Sequence, residues 1–295
     1  MAPAPMLAQL LRRLRRVLAP PVAAYLPLRV EGCAVGWLTP VRARRLGAWP
    51  KVFDIGARGV ECARALSTPA ARTEALAEVA RVLASEGALT AWRDERYGVA
   101  EHLGEPALFE LERAAARYFG IHTCAVHANG LVGAEGDWRM WLARRSPTKP
   151  IDPGLLDNLV GGGIAAGASV QATLVKEAWE EAGIASDAAW RARPAGEVKI
   201  CRDQPDGLQR ETIHVHDLWL PAAFAPQNQD GEAVEHRLCS PADALAAIAT
   251  DDVTADASLV VLDFLIRQGH VERSDASFAA LDALRQPSVS LPEPA

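Results

Sequence analysis

No CxxC pair, no apolar run long enough to span a bilayer and no surplus of basic residues occur in this 295-residue chain. Each absence removes a class of function. The five cysteines (Cys33, Cys62, Cys124, Cys201 and Cys239) are scattered and odd in number. That argues against zinc ribbons and disulfide scaffolds and for free thiols in a reducing compartment, the cytoplasm. With 31 Lys and Arg against 37 Asp and Glu, the net charge of -6 disfavours nucleic acid as the main partner. A small anionic ligand stays compatible, because a few local cations and a metal reverse the field where it matters. The most basic stretch is LAQLLRRLRRVL, Leu7 to Leu18, too short and too charged for a signal peptide or a membrane span. It reads as an amphipathic helix packed on its own domain with arginines snorkelling from its edge; a transit peptide or a membrane-surface helix is the alternative.

What is present is an ordinary globular composition, 49% hydrophobic and 23% charged, long enough for two domains. The reading is α+β: a small N-terminal α+β domain over 1–118, a second domain over 119–285, and a loose Pro-rich tail over 286–295. RVEGCAVGWLTP, Arg29 to Pro40, reads as a hairpin around a Gly turn. Ala71 to Glu86 has helical periodicity, with Ala75, Leu76, Val79, Val82 and Leu83 on one face. The run Arg93, Asp94, Glu95, Arg96 reads as solvated surface, and Leu108 to Tyr118 as a helix leading into the second domain. There, His122 to Ala128, Trp138 to Ala143, Val198 to Cys201 and Thr212 to Leu220 read as strands. Leu155 to Val160 is extended and runs into a turn at Gly161, Gly162 and Gly163. Pro241 to Ala249 and Ala257 to Arg267 are helical, and a last short helix follows Ser274.

The informative segment is GGGIAAGASVQATLVKEAWEEAGI, Gly161 to Ile184. Ser169 is a natural N-cap and Gly183 a natural C-terminal stop for a helix between them. On that helix Glu177 lies three and four residues before Glu180 and Glu181, so the three carboxylates crowd one sector. They repel one another and sit near the unfavourable end of the helix dipole. Either water tolerates that arrangement or a cation compensates it. Oxygen-only donors suit a hard Mg2+ ion, which keeps waters for a substrate phosphate to replace. By itself an ExxEE cluster is usually a solvated acidic face, but a glycine-rich approach beside it brings backbone close to a ligand.

These residues resemble the Nudix box, G-x5-E-x7-R-E-U-x-E-E-x-G-U, where U is a bulky aliphatic. Gly162, Glu177, Glu180, Glu181, Gly183 and Ile184 match; Ala168, Lys176 and Ala178 replace its first Glu, its Arg and its first U. The resemblance implies a Nudix α/β/α sandwich with a mixed sheet, and hydrolysis of a diphosphate linkage. It implies Mg2+, with Mn2+ as the alternative, on Glu177, Glu180 and Glu181, and a supporting role for Lys176. Lys176 supplies the charge of the family's Arg without its bidentate fork. VGWLTP, FELERAAARYFGIHTCAVHANG, ARRSPTKP, LLDNLVGGGI and LDFLIRQG extend the likeness to a subgroup with an extra N-terminal domain. That subgroup is similar to the Nudix part of a yeast protein fused to thiamine pyrophosphokinase, and to plant proteins. It implies thiamine diphosphate, or its damaged oxo and oxy forms, as substrate, converted to the monophosphate.

Around the box, Arg144, Arg145 and Lys149 are candidates for the diphosphate, with an exposed basic loop as the bland alternative. Asn158, Gly162 and Gly163 are candidate substrate contacts. Glu181, Glu232 or Glu235 would take the proton from the attacking water. The partner is a small-molecule diphosphate, with no nucleic acid and no membrane; a homodimer is compatible, with the N-terminal domain shaping either the pocket or the dimer contact. Two rival functions remain: a pyrophosphatase for ADP-ribose or another nucleoside diphosphate derivative, and a ligand sensor that kept the fold without the chemistry.

Overall fold

A computed structural model describes residues 3–134, 136–287 and 291. The rest of the expected tail, residues 288–290 and 292–295, lies outside the described residues. Helix α1 (Ala4–Val17) precedes β1 (Leu26–Val30), β2 (Cys33–Leu38), α2 (Pro40–Leu46), β3 (Phe53–Gly56), β4 (Gly59–Cys62) and α3 (Pro69–Ser85). A two-stranded ribbon follows, β5 (Arg96–Val99) and β6 (Phe109–Glu112), and then the short α4 (Ala116–Phe119). The β1–β2 hairpin turns through Glu31 and Gly32, both at positive φ, as the sequence suggests. Helix α3 packs Leu76, Val79, Ala80 and Leu83 against Leu28, Val60, Phe109 and Leu111. Its N-cap Thr68 accepts from the Ala71 amide.

Two expectations fail in this half. Leu108 to Tyr118 is not one helix: Phe109 and Leu111 alternate inward on β6, and only the end of the stretch coils. Helix α1 does not pack on its own domain. Leu7, Leu10 and Leu14 are buried among Trp138, Met140, Leu245, Ile248 and Phe264 of the second domain. Arg13 does not snorkel either. Its guanidinium is buried and donates to the carbonyls of Ile248 (2.9 Å) and Val253 and to Ser258 Oγ (2.8 Å).

The second domain runs β7 (His122–Ala134), β8 (Asp137–Arg145), β9 (Leu156–Asn158), β10 (Val160–Gly163), α5 (Val170–Ala182), α6 (Ser186–Ala189), β11 (Arg193–Gln204), β12 (Gly207–Leu220) and β13 (Ala233–Cys239). It closes with α7 (Pro241–Ile248), α8 (Ala255–Arg267) and α9 (Phe278–Ala283). Its sheet has the order β11-β12-β7-β8-β13, parallel between β7 and β12 and antiparallel elsewhere. β10 and β9 lie on β7 and β8 respectively, so β10 takes up the edge of β7 that β8 leaves. Helix α5 covers one face, through Leu174, Ala178 and Ala182, and α8 the other, through Leu259 and Val260. The mixed sheet between helices is therefore as expected.

The glycines are the exception. Gly161, Gly162 and Gly163 are not a turn but strand β10, paired with His127, Val126 and Ala125. The turn comes later, at Ala165–Gly167, where Gly167 has φ of +76°.

Because α1 contributes three buried leucines to the second domain's core, Leu10→Ala should destabilise the whole chain by about 2–5 kcal/mol. Urea unfolding followed by tryptophan fluorescence measures this; a loss below about 0.5 kcal/mol would show that α1 is only peripherally attached.

Candidate active site

Helix α5 forms where the sequence signals place it. Ser169 Oγ accepts from the Ala172 amide at 3.1 Å, and Gly183 ends the helix in the left-handed region at φ of +64°. With Leu174, Ala178 and Ala182 turned to the sheet, Glu177 and Glu181 are carried to its rim, next to β10. Glu181 Oε2 accepts the Gly161 N–H at 2.7 Å. Lys176 Nζ lies 3.1 Å from Glu177 Oε1 and 2.7 Å from Glu180 Oε2, so the lysine spans both acids from the exposed side. Ala168, at the position of the family's first Glu, is exposed in the turn before α5.

The three glycines are needed for space, not for backbone angle, since none has a positive φ. A Cβ on Gly161 would stand 2.9 Å from His127 Cε1 and 3.1 Å from both ring nitrogens. One on Gly162 would meet Glu177 Cδ at 2.4 Å, and one on Gly163 would meet the Tyr97 hydroxyl at 2.2 Å. Three successive missing side chains thus admit groups from β7, α5 and β5. Behind His127, Asn158 Oδ1 lies 2.8 Å from its Nδ1. Since a carbonyl oxygen only accepts, this pairing requires a ring hydrogen on Nδ1.

The surroundings work against charge on the helix acids. Burial, then the nearby Glu177 carboxylate, hold Glu181 well above the usual carboxylate range, against the pull of the Gly161 N–H. Burial likewise raises Glu177, against Lys176. Among the described residues no cationic side chain lies within 4 Å of Glu181. Two crowded carboxylates, one of them without a protein cation, on an oxygen-only donor set, fit a hard divalent ion. Among the described residues, no three His, Cys, Asp or Glu side chains converge on one point. Lys176 draws Glu180 outward, and the Gly161 amide holds Glu181.

Glu177, but neither Glu180 nor Glu181, lines a cavity whose floor is β7, through Thr123, Ala125 and His127. On one side of the floor stand Gly161–Gly163 and Glu177 of β10 and α5; on the other stand Gln209, Glu211 and Arg210 of β12. The end of β8 brings Arg145, the loop after it Lys149 and Asp152, β9 Asp157 and the first turn of α8 Asp256. The N-terminal domain closes the remaining side with Arg93, Tyr97, Arg113 and Arg117.

Of the residues singled out from sequence, Glu177, Gly162, Gly163, Arg145, Lys149 and Glu232 line this cavity. Arg145 is anchored by Asp157 Oδ2 at 2.8 Å and by the Ile151 and Asp152 carbonyls. Lys149 contacts Glu232, which also accepts from Arg93 at 3.1 Å. Asn158 acts from behind, through His127. Arg144 is not on the cavity. It points to the other face of β8 and is spent on Glu235 (3.0 Å), Asp252 (2.9 and 3.0 Å) and the Gly154 carbonyl. Glu235 is off the cavity too, and hydrogen bonds from Arg144 and then Arg237 hold its carboxyl below the ordinary value. Lys176 is exposed on the outer side of α5. Sequence reading missed His127, Tyr97, Arg93, Arg113, Glu211 and Asp256. Only His127 left a local trace, sharing a strand face with Thr123 and Ala125; in the charged run expected to be solvated, Arg93, Asp94 and Arg96 are exposed, and Arg93 alone also lines the cavity.

Comparison with known proteins gives the family. The NUDIX domain family matches residues 124–259, and a domain of unknown function, DUF4743, matches residues 6–123. Nudix hydrolase 20, chloroplastic, from Arabidopsis thaliana is 35% identical over 267 residues, covering 87% of this chain and 71% of that protein. Nudix hydrolase 24, chloroplastic, from the same plant is 35% identical over 260 residues with the same coverage. The crystal structure of a MutT protein from Methanosarcina mazei Go1 aligns at 21% identity and a TM-score of 0.38, covering 52% of this chain and 96% of that one. The chain belongs to the Nudix hydrolases, enzymes that split pyrophosphate bonds.

The raised carboxyls set a pH dependence. An acid that holds its proton more tightly folded than unfolded stabilises the fold below its ordinary value of 4.5, and that contribution is lost as the pH rises through the folded value. Without divalent ions the melting temperature should therefore carry a falling component above pH 4.5, flattened in Glu181→Gln. Mg2+ should raise it more at pH 8 than at pH 5, where it competes with protons. Equal Mg2+ shifts at the two pH values in calorimetry would show that these acids do not hold the ion.

Proposed function

We propose that the enzyme cleaves thiamine diphosphate, or its oxidised oxo and oxy forms, to the monophosphate. The observation that carries this reading is the spread of chemistry across the cavity floor. The β10 and β12 sides are two strand spacings apart, roughly 9.5 Å. A diphosphate placed beside Glu177 and Gly162 therefore directs its organic half across His127 towards Glu211 and Asp256. That far wall carries Glu211 and Asp256 beside Arg210: Glu211 accepts from Gln209 Nε2 at 2.9 Å, and Asp256 Oδ1, buried and without a hydrogen-bond donor, lies 3.8 Å from the Arg202 guanidinium. A cationic thiazolium and the amino-bearing edge of a pyrimidine find partners there, whereas the neutral adenine and two riboses of ADP-ribose gain less.

Glu177, Glu180 and Glu181 are the residues that would hold Mg2+ or Mn2+, which supplies charge neutralisation at the phosphate oxygens and a more acidic attacking water. Glu177 and Glu232, which line the cavity, are the acids that would take the proton from the attacking water; Glu181 reaches it less directly, and Glu235, tied to Arg144 off the cavity, is the weakest candidate. Lys149 stands where an incoming phosphate competes with Glu232 for its ammonium. The five unpaired cysteines suit a reducing compartment such as the cytoplasm.

Two measurements test the reading. Glu181→Gln keeps an oxygen to accept the Gly161 N–H but loses the charge, so turnover should fall at least about a hundredfold, about 3 kcal/mol of transition-state stabilisation, with melting retained. Glu180→Gln should behave alike; wild-type rates of monophosphate release in both variants would overturn the assignment. In parallel, kcat/KM for oxidised thiamine diphosphates should exceed that for ADP-ribose by at least about tenfold at matched Mg2+ and pH. Equal or reversed preference would remove the thiamine substrate and leave the hydrolase.

A further inference from the structure

The charges around the cavity divide by domain. Every acid that lines it comes from the second domain, Asp157, Glu177, Asp206, Glu211, Glu232 and Asp256 among them. Of the second domain's cations there, Arg145 is committed to Asp157 and two carbonyls and Lys149 to Glu232, which leaves Arg210 on the β12 side, away from Glu177. Beside Glu177 and the glycine strand, this half therefore offers a diphosphate more acids than uncommitted cations. The charged residues that the N-terminal domain places on the cavity are all arginines: Arg93, Arg113 and Arg117.

Two of the three are neutralised from across the cavity, Arg93 by Glu232 at 3.1 Å and Arg117 by Asp206 at 3.5 Å. Arg113 differs. Its acid partner is Glu95, 2.7 Å away within its own domain and not on the cavity wall. Its guanidinium lies over the Tyr97 ring, 5.7 Å from the centroid. Tyr97 in turn sets its hydroxyl in the space left by Gly163. The chain of contact Gly163–Tyr97–Arg113 thus registers one arginine of the N-terminal domain against the glycine strand beside Glu177.

We propose that Arg113 binds the substrate's phosphate oxygens, that Tyr97 is its positioning residue, and that the N-terminal domain is therefore one half of the active site. This rests on the diphosphate reading above. A guanidinium offers a planar pair of donors to phosphate, and a stacked ring limits the conformations it must give up on binding. Such a contact is made to ground and transition states alike, so its loss shows in KM more than in kcat.

The full-length chain tests this. Arg113→Gln should raise KM for thiamine diphosphate at least about tenfold while kcat stays within about threefold. Arg113→Lys, which keeps the charge and the Glu95 pair, should recover part of the loss. Tyr97→Leu should raise KM in the same direction and Tyr97→Phe, which keeps the ring, should not. Arg96→Gln, an exposed residue paired with Glu110, should leave both constants unchanged. An unchanged KM in Arg113→Gln, or a KM rise shared by Arg96→Gln, overturns the proposal. Calorimetric titration with inorganic pyrophosphate and Mg2+ reads the contact without turnover: binding at least about tenfold weaker in Arg113→Gln supports it, and equal binding overturns it. If wild type binds pyrophosphate in this Arg113-dependent way yet releases no monophosphate from any diphosphate, the hydrolytic reading falls and the phosphate contact stands.

Discussion

The arrangement of the site depends on three adjacent positions that carry no Cβ. Strand β10 could pair with β7 using any small residues, but only glycine at 161, 162 and 163 leaves room for His127, Glu177 and Tyr97. Those side chains come from the sheet, from the helix that carries the acids, and from the other domain. Alternation along the strand sends the odd positions to the cavity and Gly162 to the helix, so one tripeptide fixes both faces. Helix α5 approaches closely enough for Glu181 to take the Gly161 amide only because nothing projects between them.

That closeness has an electrostatic cost. Glu177 and Glu181 are brought together partly out of water, and the Gly161 N–H and Lys176 offset their charge only in part. The helix is held in spite of this by Leu174, Ala178 and Ala182, which have no alternative place to bury. Function is in this sense built on a strained electrostatic position supported by ordinary packing. Lys176, in the place of the family's Arg, reaches two acids from outside but presents a point charge where a fork would orient a single carboxylate.

The sequence disclosed the parts of this whose cause is local. The cap at Ser169, the stop at Gly183, the spacing of the three acids and the β1–β2 hairpin are each set by a few neighbouring residues. Where two periodicities overlap, it misled. Phe109, Leu111, Ala115 and Tyr118 satisfy a helix as well as a strand followed by a coil, and pairing with β5 decides for the strand. Arg144 and Arg145 show the limit at the site itself: adjacent on β8, they look equivalent, yet the pleat sends one to the cavity and the other to Asp252 and Glu235. Arg93, Tyr97 and Arg113 lie far along the chain from the box, and nothing short of the tertiary fold brings them to it.

The placement of α1 changes what kind of object the N-terminal domain is. Helix α1 lies on the second domain's core, the segment after it stays on that domain through Leu18 and the bonds of Val22 and Tyr25 to Asp203, and the chain then builds the N-terminal domain and returns at β7. The intervening domain is thus a loop closed at both ends on one support, not a bead on a single string. A bead swivels; a segment clamped at two points has few ways to turn. The entropy of aligning its arginines with the cavity is then met largely during folding, and each substrate molecule finds both walls already facing one another.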